Sequence, residues 1–148
     1  MMLPAYAELH ALSNFSFQRG ASHPQELVQR AHELGYSALA LTDECSVAGV
    51  VRAHGAAQAL GLPLIVGSEF CWGDVRIVAL ARDVQGWGDL CEFITAARQR
   101  AGKGGYHVDA QSPWALLQGC EVLLAPRREA FVDASDLIAV SACLESVR

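Results

Sequence analysis

SALALTDECSVAGVVRAHGAAQALGLPLIVGSE, residues 37–69, states one theme twice: an apolar run that ends in a carboxylate. Ser37-Ala-Leu-Ala-Leu41 reads as a buried strand, followed at once by Thr42-Asp43-Glu44. Val47, Val50, Val51, Ala57 and Leu60 then mark a helix that Gly61 closes, because glycine accepts the left-handed conformation that ends a helix. Pro63-Leu-Ile-Val66 is the next strand, and Gly67-Ser68-Glu69 follows it. Strand, helix, strand predicts a parallel βαβ unit whose chemistry sits at the C-terminal strand ends, as in other α/β folds.

Upstream, residues 5–22 read AYAELHALSNFSFQRGAS. Tyr6 to Leu9 is a short apolar run ending at His10. In an extended strand residues i and i+2 share a face, so a second His at position 12 would offer a metal two imidazoles; the chain has Leu12 instead. Ser13, Asn14 and Ser16 suit hydrogen bonding in the following turn, with Phe15 and Phe17 expected to pack beneath it. Ser22 is the expected cap of a helix with Pro24 in its first turn and Leu27, Val28, Ala31 and Leu34 along one stripe; Gly35 ends it.

Downstream, Val75 to Ala81 reads as a strand, Trp87, Leu90, Cys91 and Ile94 line a helix, and Gly102 to Gly105 marks a mobile loop. Val122 to Ala125 and Leu137 to Val140 read as later strands, with Ser141-Ala142-Cys143 as a turn. Six strands alternating with helical segments predict an α/β barrel that has not closed, with a doubly wound open sheet as the competing architecture. The chain is expected to be a fragment of a longer polypeptide.

A length of 148 residues, 52% of them hydrophobic and 18% charged, suits one core and one soluble unit. No stretch approaches the roughly 20 apolar residues of a membrane span, and the N-terminus has no signal-peptide pattern, so a cytoplasmic protein is expected. Five widely spaced cysteines without a C-x-x-C suggest reduced, mostly buried thiols. The net charge of −5 argues against a module that grips nucleic acid alone.

Taken in order, ELHALSNFSFQRGAS, ALALTDECSVAGVVRAH and LIVGSEF resemble the PHP (polymerase and histidinol phosphatase) domain at the N-terminus of bacterial DNA polymerase III alpha subunits, and within that group its error-prone branch. The resemblance implies a distorted α/β barrel, incomplete over residues 1–148, with its last elements beyond Arg148. It implies a cluster of two or three metals held at strand ends by a His-x-His, a loop ligand, Thr-Asp-His, a Glu, another His and later ligands. Against that pattern His10 and Glu69 match, Glu44 replaces a His, Leu12 replaces the second His, and Arg19 and Arg76 stand where ligands are expected. Cys143 matches a further ligand position. Arginine is a permanent cation that cannot ligate. The remnant metal positions are therefore His10, Glu44, Glu69 and Cys143, with Asp43, Arg19, Arg76 and Leu12 lining the site. Arg19 and Arg76 are expected to pair with Glu44, Glu69 or Asp43 in place of the lost metals.

On the residues alone, His10 reads first as a hydrogen-bonded core histidine, and Asp43 as the cap of a helix starting at Glu44 to Val47 as readily as a site residue. The resemblance implies a degenerate, mainly structural module of a translesion polymerase whose catalytic core lies elsewhere. The segment itself needs no cofactor, while the full-length polymerase uses Mg²⁺. Its partners would be the rest of the polymerase chain, DNA and dNTP through other domains, a sliding clamp and mutagenesis accessory proteins. The alternative is a metal-dependent phosphoesterase, similar to histidinol phosphatase or a 3′-5′ exonuclease, retaining a reduced Zn²⁺ or Mn²⁺ site.

Overall fold

The computed structural model describes residues 5–126 and 134–145. It has a mixed α/β fold with strand order β1-β2-β3-β4-β5, an incomplete sheet in which β1 and β5 do not pair among the described residues. The chain divides into two units, Met1–Ser68 and Glu69–Arg148, with the boundary inside strand β3.

In the first unit β1 (Ala7–Ala11), β2 (Ala38–Leu41) and the start of β3 (Leu64–Trp72) run parallel. Helices α1 (Pro24–Glu33) and α2 (Val50–Leu60) connect them and pack on each other. This is the βαβ arrangement predicted by residues 37–69. Val28 and Ala31 of α1, Ala53 and Ala57 of α2 and Leu39 to Leu41 of β2 are buried together in the core. Both helices stop at the expected glycines. Gly35 (φ +71°) follows α1, where the Tyr36 amide donates to the Ala31 carbonyl, and Gly61 (φ +67°) follows α2, where the Leu62 amide donates to the Ala57 carbonyl.

Three local expectations shift. Helix α1 is capped at His23 and not Ser22, and Glu26 reaches back to accept from the His23 amide at 2.7 Å. Helix α2 begins at Val50, with Gly49 before it, so Asp43 caps no helix. The β1–β2 register advances three residues on β1 for two on β2 between Glu8 and Ala11, which is a bulge containing Leu9 and His10. The regular i, i+2 alternation assumed for His10 and Leu12 does not hold across that bulge.

The second unit begins with the Glu69 half of β3, turns at Gly73 (φ +57°) and Asp74, and continues into β4 (Val75–Ala81). Helix α3 (Val84–Gln99) follows, its first turn capped by Asp83, whose carboxylate accepts from the Gly86 amide at 2.8 Å. A 3₁₀ turn, Trp114–Gly119, leads into β5 (Cys120–Pro126), which pairs with β4 antiparallel from Val75↔Pro126 to Ala81↔Cys120. The all-parallel expectation therefore ends at β3. Phe70 and Phe93 meet edge to face at 4.9 Å, and Trp72 stacks on Trp114 at 5.7 Å, over a core that includes Ile77, Leu90 and Leu117.

The strand expected at Leu137 to Val140 is instead part of helix α4 (Ala134–Glu145), and the turn expected at Cys143 is also helical. A four-residue apolar run does not distinguish strand from helix. The surrounding alanines and leucines favour the helix, and of this run Val140 is fully buried while Ile138 is 68% exposed. No described helix is long and apolar enough to cross a membrane.

Candidate functional site

The C-terminal end of β2 carries a closed polar network. Asp43 is 1% exposed, and its carboxylate accepts three hydrogen bonds: from the Ser13 amide at 2.7 Å, the Ser13 hydroxyl at 2.7 Å and the Ser16 hydroxyl at 2.6 Å. A buried carboxylate without such donors would be costly, which explains why both serines are buried with it. The Ser68 hydroxyl donates to the Asp43 carbonyl at 2.8 Å and accepts from the Ser46 amide at 3.1 Å. Serines from β1's loop and from β3 thus fix the strand end from two sides.

The same loop presents Arg19 to Glu44, at 2.8 Å, with each side chain 27% exposed. Ser16 sets both ends of that pair. Its carbonyl accepts from the Arg19 and Gly20 amides, each at 3.0 Å, and its hydroxyl accepts from the Glu44 amide at 3.0 Å. Gly20 is required there, because a Cβ on it would fall 2.0 Å from the Ser13 carbonyl oxygen. Phe15 is 38% exposed, with the Arg52 guanidinium 5.7 Å above its ring, and Phe17 is 85% exposed. The expected packing of Phe17 under the turn is not formed, since the serine–aspartate bonds already hold the loop.

In the second unit Glu69 is fully buried, and the Cys71 thiol donates to its carboxylate at 3.8 Å. The Cys71 amide donates to the Tyr106 hydroxyl at 2.9 Å. Cys71 was not among the expected site residues, although its place two after Glu69 on one strand face was a readable signal. Arg76 has its Nε buried without a hydrogen-bond partner among the described residues, whereas Arg19 pairs with Glu44. His10 lies in the β1 bulge, its amide donating to the Glu8 carboxylate at 2.9 Å, and Cys143 lies on α4 with its thiol 3.9 Å from the Ala110 carbonyl. Leu12 is half-buried just after β1.

Within the second unit Glu69 and Cys71 place a carboxylate and a thiol together, a partial donor set that does not specify an ion. A carboxylate and a thiol suit a divalent cation chemically.

A second polar cluster, absent from the expected site, pins the chain after α3. Arg100 grips Asp109 with two bonds, at 2.8 and 2.7 Å, and donates to Ser112 at 3.0 Å, while His107 lies 3.1 Å from the same carboxylate. The guanidinium holds the Asp109 carboxyl well below the usual carboxylate range. At the start of β5, burial pushes the Cys120 thiol up to about 11, and it donates to the Gly86 carbonyl at 3.6 Å. That marks an inert thiol and not a nucleophile.

The PHP domain family profile matches residues 8–146. An error-prone DNA polymerase from Dechloromonas aromatica (strain RCB) is 57% identical over 132 residues, covering 85% of this chain and 13% of that protein. The chain thus spans about an eighth of the length of that curated relative. A solved structure of a proposed metal-dependent phosphoesterase from Bifidobacterium adolescentis ATCC 15703 superposes with a TM-score of 0.64 at 17% identity, covering 95% of this chain and 75% of the other, and shows the shared fold. An amidohydrolase from Chromobacterium violaceum, solved with bound sulfate and no metal, is 33% identical with a TM-score of 0.53 over 64% of this chain and 34% of its own.

Proposed function

The chain belongs to the PHP domain family, and from that premise we propose that it serves as the N-terminal module of an error-prone DNA polymerase in translesion synthesis, as a structural and interaction platform and not as a phosphoesterase. High identity to error-prone polymerases over most of its length supports the parent protein. The observation that carries the structural role is Arg19 seated on Glu44 at 2.8 Å, a cation where a hydrolytic metal would need the carboxylate. On this reading His10, Glu44, Glu69 and Cys143 are remnants of a metal site. The nucleotidyl transfer, its Mg²⁺ and its contacts to DNA and dNTP belong to the remainder of the polymerase, as do contacts to a sliding clamp and mutagenesis accessory proteins.

The Glu69–Cys71 pair favours one other reading, a reduced phosphoesterase holding a single Zn²⁺ or Mn²⁺. Elemental analysis of the purified, folded chain, with hydrolysis of a generic phosphoester in added Mn²⁺ or Zn²⁺, separates the two. The platform predicts no stoichiometric metal and no turnover. Stoichiometric metal with turnover that Glu69→Ala abolishes would replace it with the phosphoesterase.

A further inference from the structure

We infer that Arg19 is a resident cation that keeps divalent metal off Glu44, and that Ser16 is the residue that positions both partners of the pair; the inference rests on the reading of this chain as a PHP module with a degenerate metal group. Three observations in the first unit converge on it. The guanidinium lies 2.8 Å from the Glu44 carboxylate, with both side chains about three-quarters shielded from solvent. One residue, Ser16, holds the Arg19 backbone through its carbonyl and the Glu44 backbone through its hydroxyl, at 3.0 Å each, so the contact is built by the loop and not made by two free side chains. The Ser16 hydroxyl proton goes to Asp43 at 2.6 Å, which ties the pair to the buried carboxylate at the strand end.

A guanidinium does not lose its proton in a protein, so no change of pH within the folded range lifts this block. A divalent ion placed on the same carboxylate would sit a few ångströms from a fixed positive charge. Coulomb repulsion at that range weakens binding by roughly tenfold or more even in a water-like dielectric. Glu44 is therefore a carboxylate with cation-binding geometry whose cation is covalently part of the chain. Removing the Arg19 charge should return the carboxylate to solution ions, and Mn²⁺, which carboxylates take readily, is the probe.

The experiment is calorimetric titration of MnCl₂ into the 148-residue chain and its variants, with circular dichroism confirming that each is folded. Arg19→Gln is expected to bind Mn²⁺ roughly tenfold more tightly than the unmodified chain. Arg19→Lys, which keeps the charge, should show no gain, and Arg19→Gln combined with Glu44→Gln should lose it. Arg19→Met gives the same comparison if the glutamine variant does not fold. Equal affinity in the unmodified chain and the charge-removed variant, or a gain that survives Glu44→Gln, would overturn the inference while leaving the platform reading intact. Stoichiometric metal and turnover in the unmodified chain would instead overturn the platform reading.

Discussion

Two aspartates, one in each unit, are held by opposite means. Asp43 is buried and accepts only from neutral donors, one amide and two hydroxyls, all from the loop after β1. Asp109 is about one-third exposed and is gripped by a guanidinium, with His107 beside it. The first arrangement depends on burial and shape and is indifferent to salt; the second depends on charge at a surface and is screened. The chain places its neutral network at the end of β2, and its charged pair on the segment that follows α3.

Replacing Asp43 should expose the largest difference. Asp43→Ala leaves the Ser13 amide and two hydroxyls buried without their acceptor, and is expected to cost roughly 3–5 kcal/mol in urea unfolding. Asp43→Asn keeps one carbonyl acceptor and should cost less. If Asp43→Ala proves no worse than Asp109→Ala, the contrast between the two sites is wrong.

Close backbone approach gives the next effect and sharpens the comparison, because each unit has one. A Cβ at Gly20 would fall 2.0 Å from the Ser13 carbonyl oxygen, and one at Gly86 would fall 2.1 Å from the Gly119 carbonyl oxygen. Either alanine forces backbone to move and should cost roughly 1–3 kcal/mol. Only Gly20→Ala should also disturb the loop that carries Arg19, so the Mn²⁺ affinity of the Gly86 variant should stay at that of the unmodified chain.

What the sequence made legible follows from how local each signal is. Residues 37–69 disclosed a βαβ unit because strand, helix and glycine stop all lie within that stretch, and β4 was readable from the apolar run Ile77 to Ala81. Strand β5 was readable as a strand but not its antiparallel pairing with β4, which depends on the long connection through α3 and the 3₁₀ turn. Helix α4 was misread because four apolar residues carry no period. At the end of β2, the Arg19–Glu44 pairing could be anticipated from motif position. The role of Ser13 and Ser16 could not, since their shared acceptor lies about thirty residues away. Cys71 was within reach as the partner of Glu69 two residues along the strand.

The smallest predicted effect is one of pH, and it belongs to Asp109 alone. Arg100 lowers its pKa in the folded chain, so folding favours the carboxylate form. A depressed folded value means that the contribution is fully present above the unfolded value, near 3.9, and is lost as pH falls from there toward the folded one. The His107 ring nitrogen, 3.1 Å from the same carboxylate, adds to that lowering. The expected result is a melting temperature that drops more steeply below about pH 4 in the unmodified chain than in Asp109→Asn, with the two curves running parallel between about pH 5 and 7. Because the pair is exposed, added salt should shrink the difference. Parallel curves down to pH 2 would mean that the Arg100 grip contributes nothing to folding, and the comparison would then reduce to one held carboxylate, Asp43.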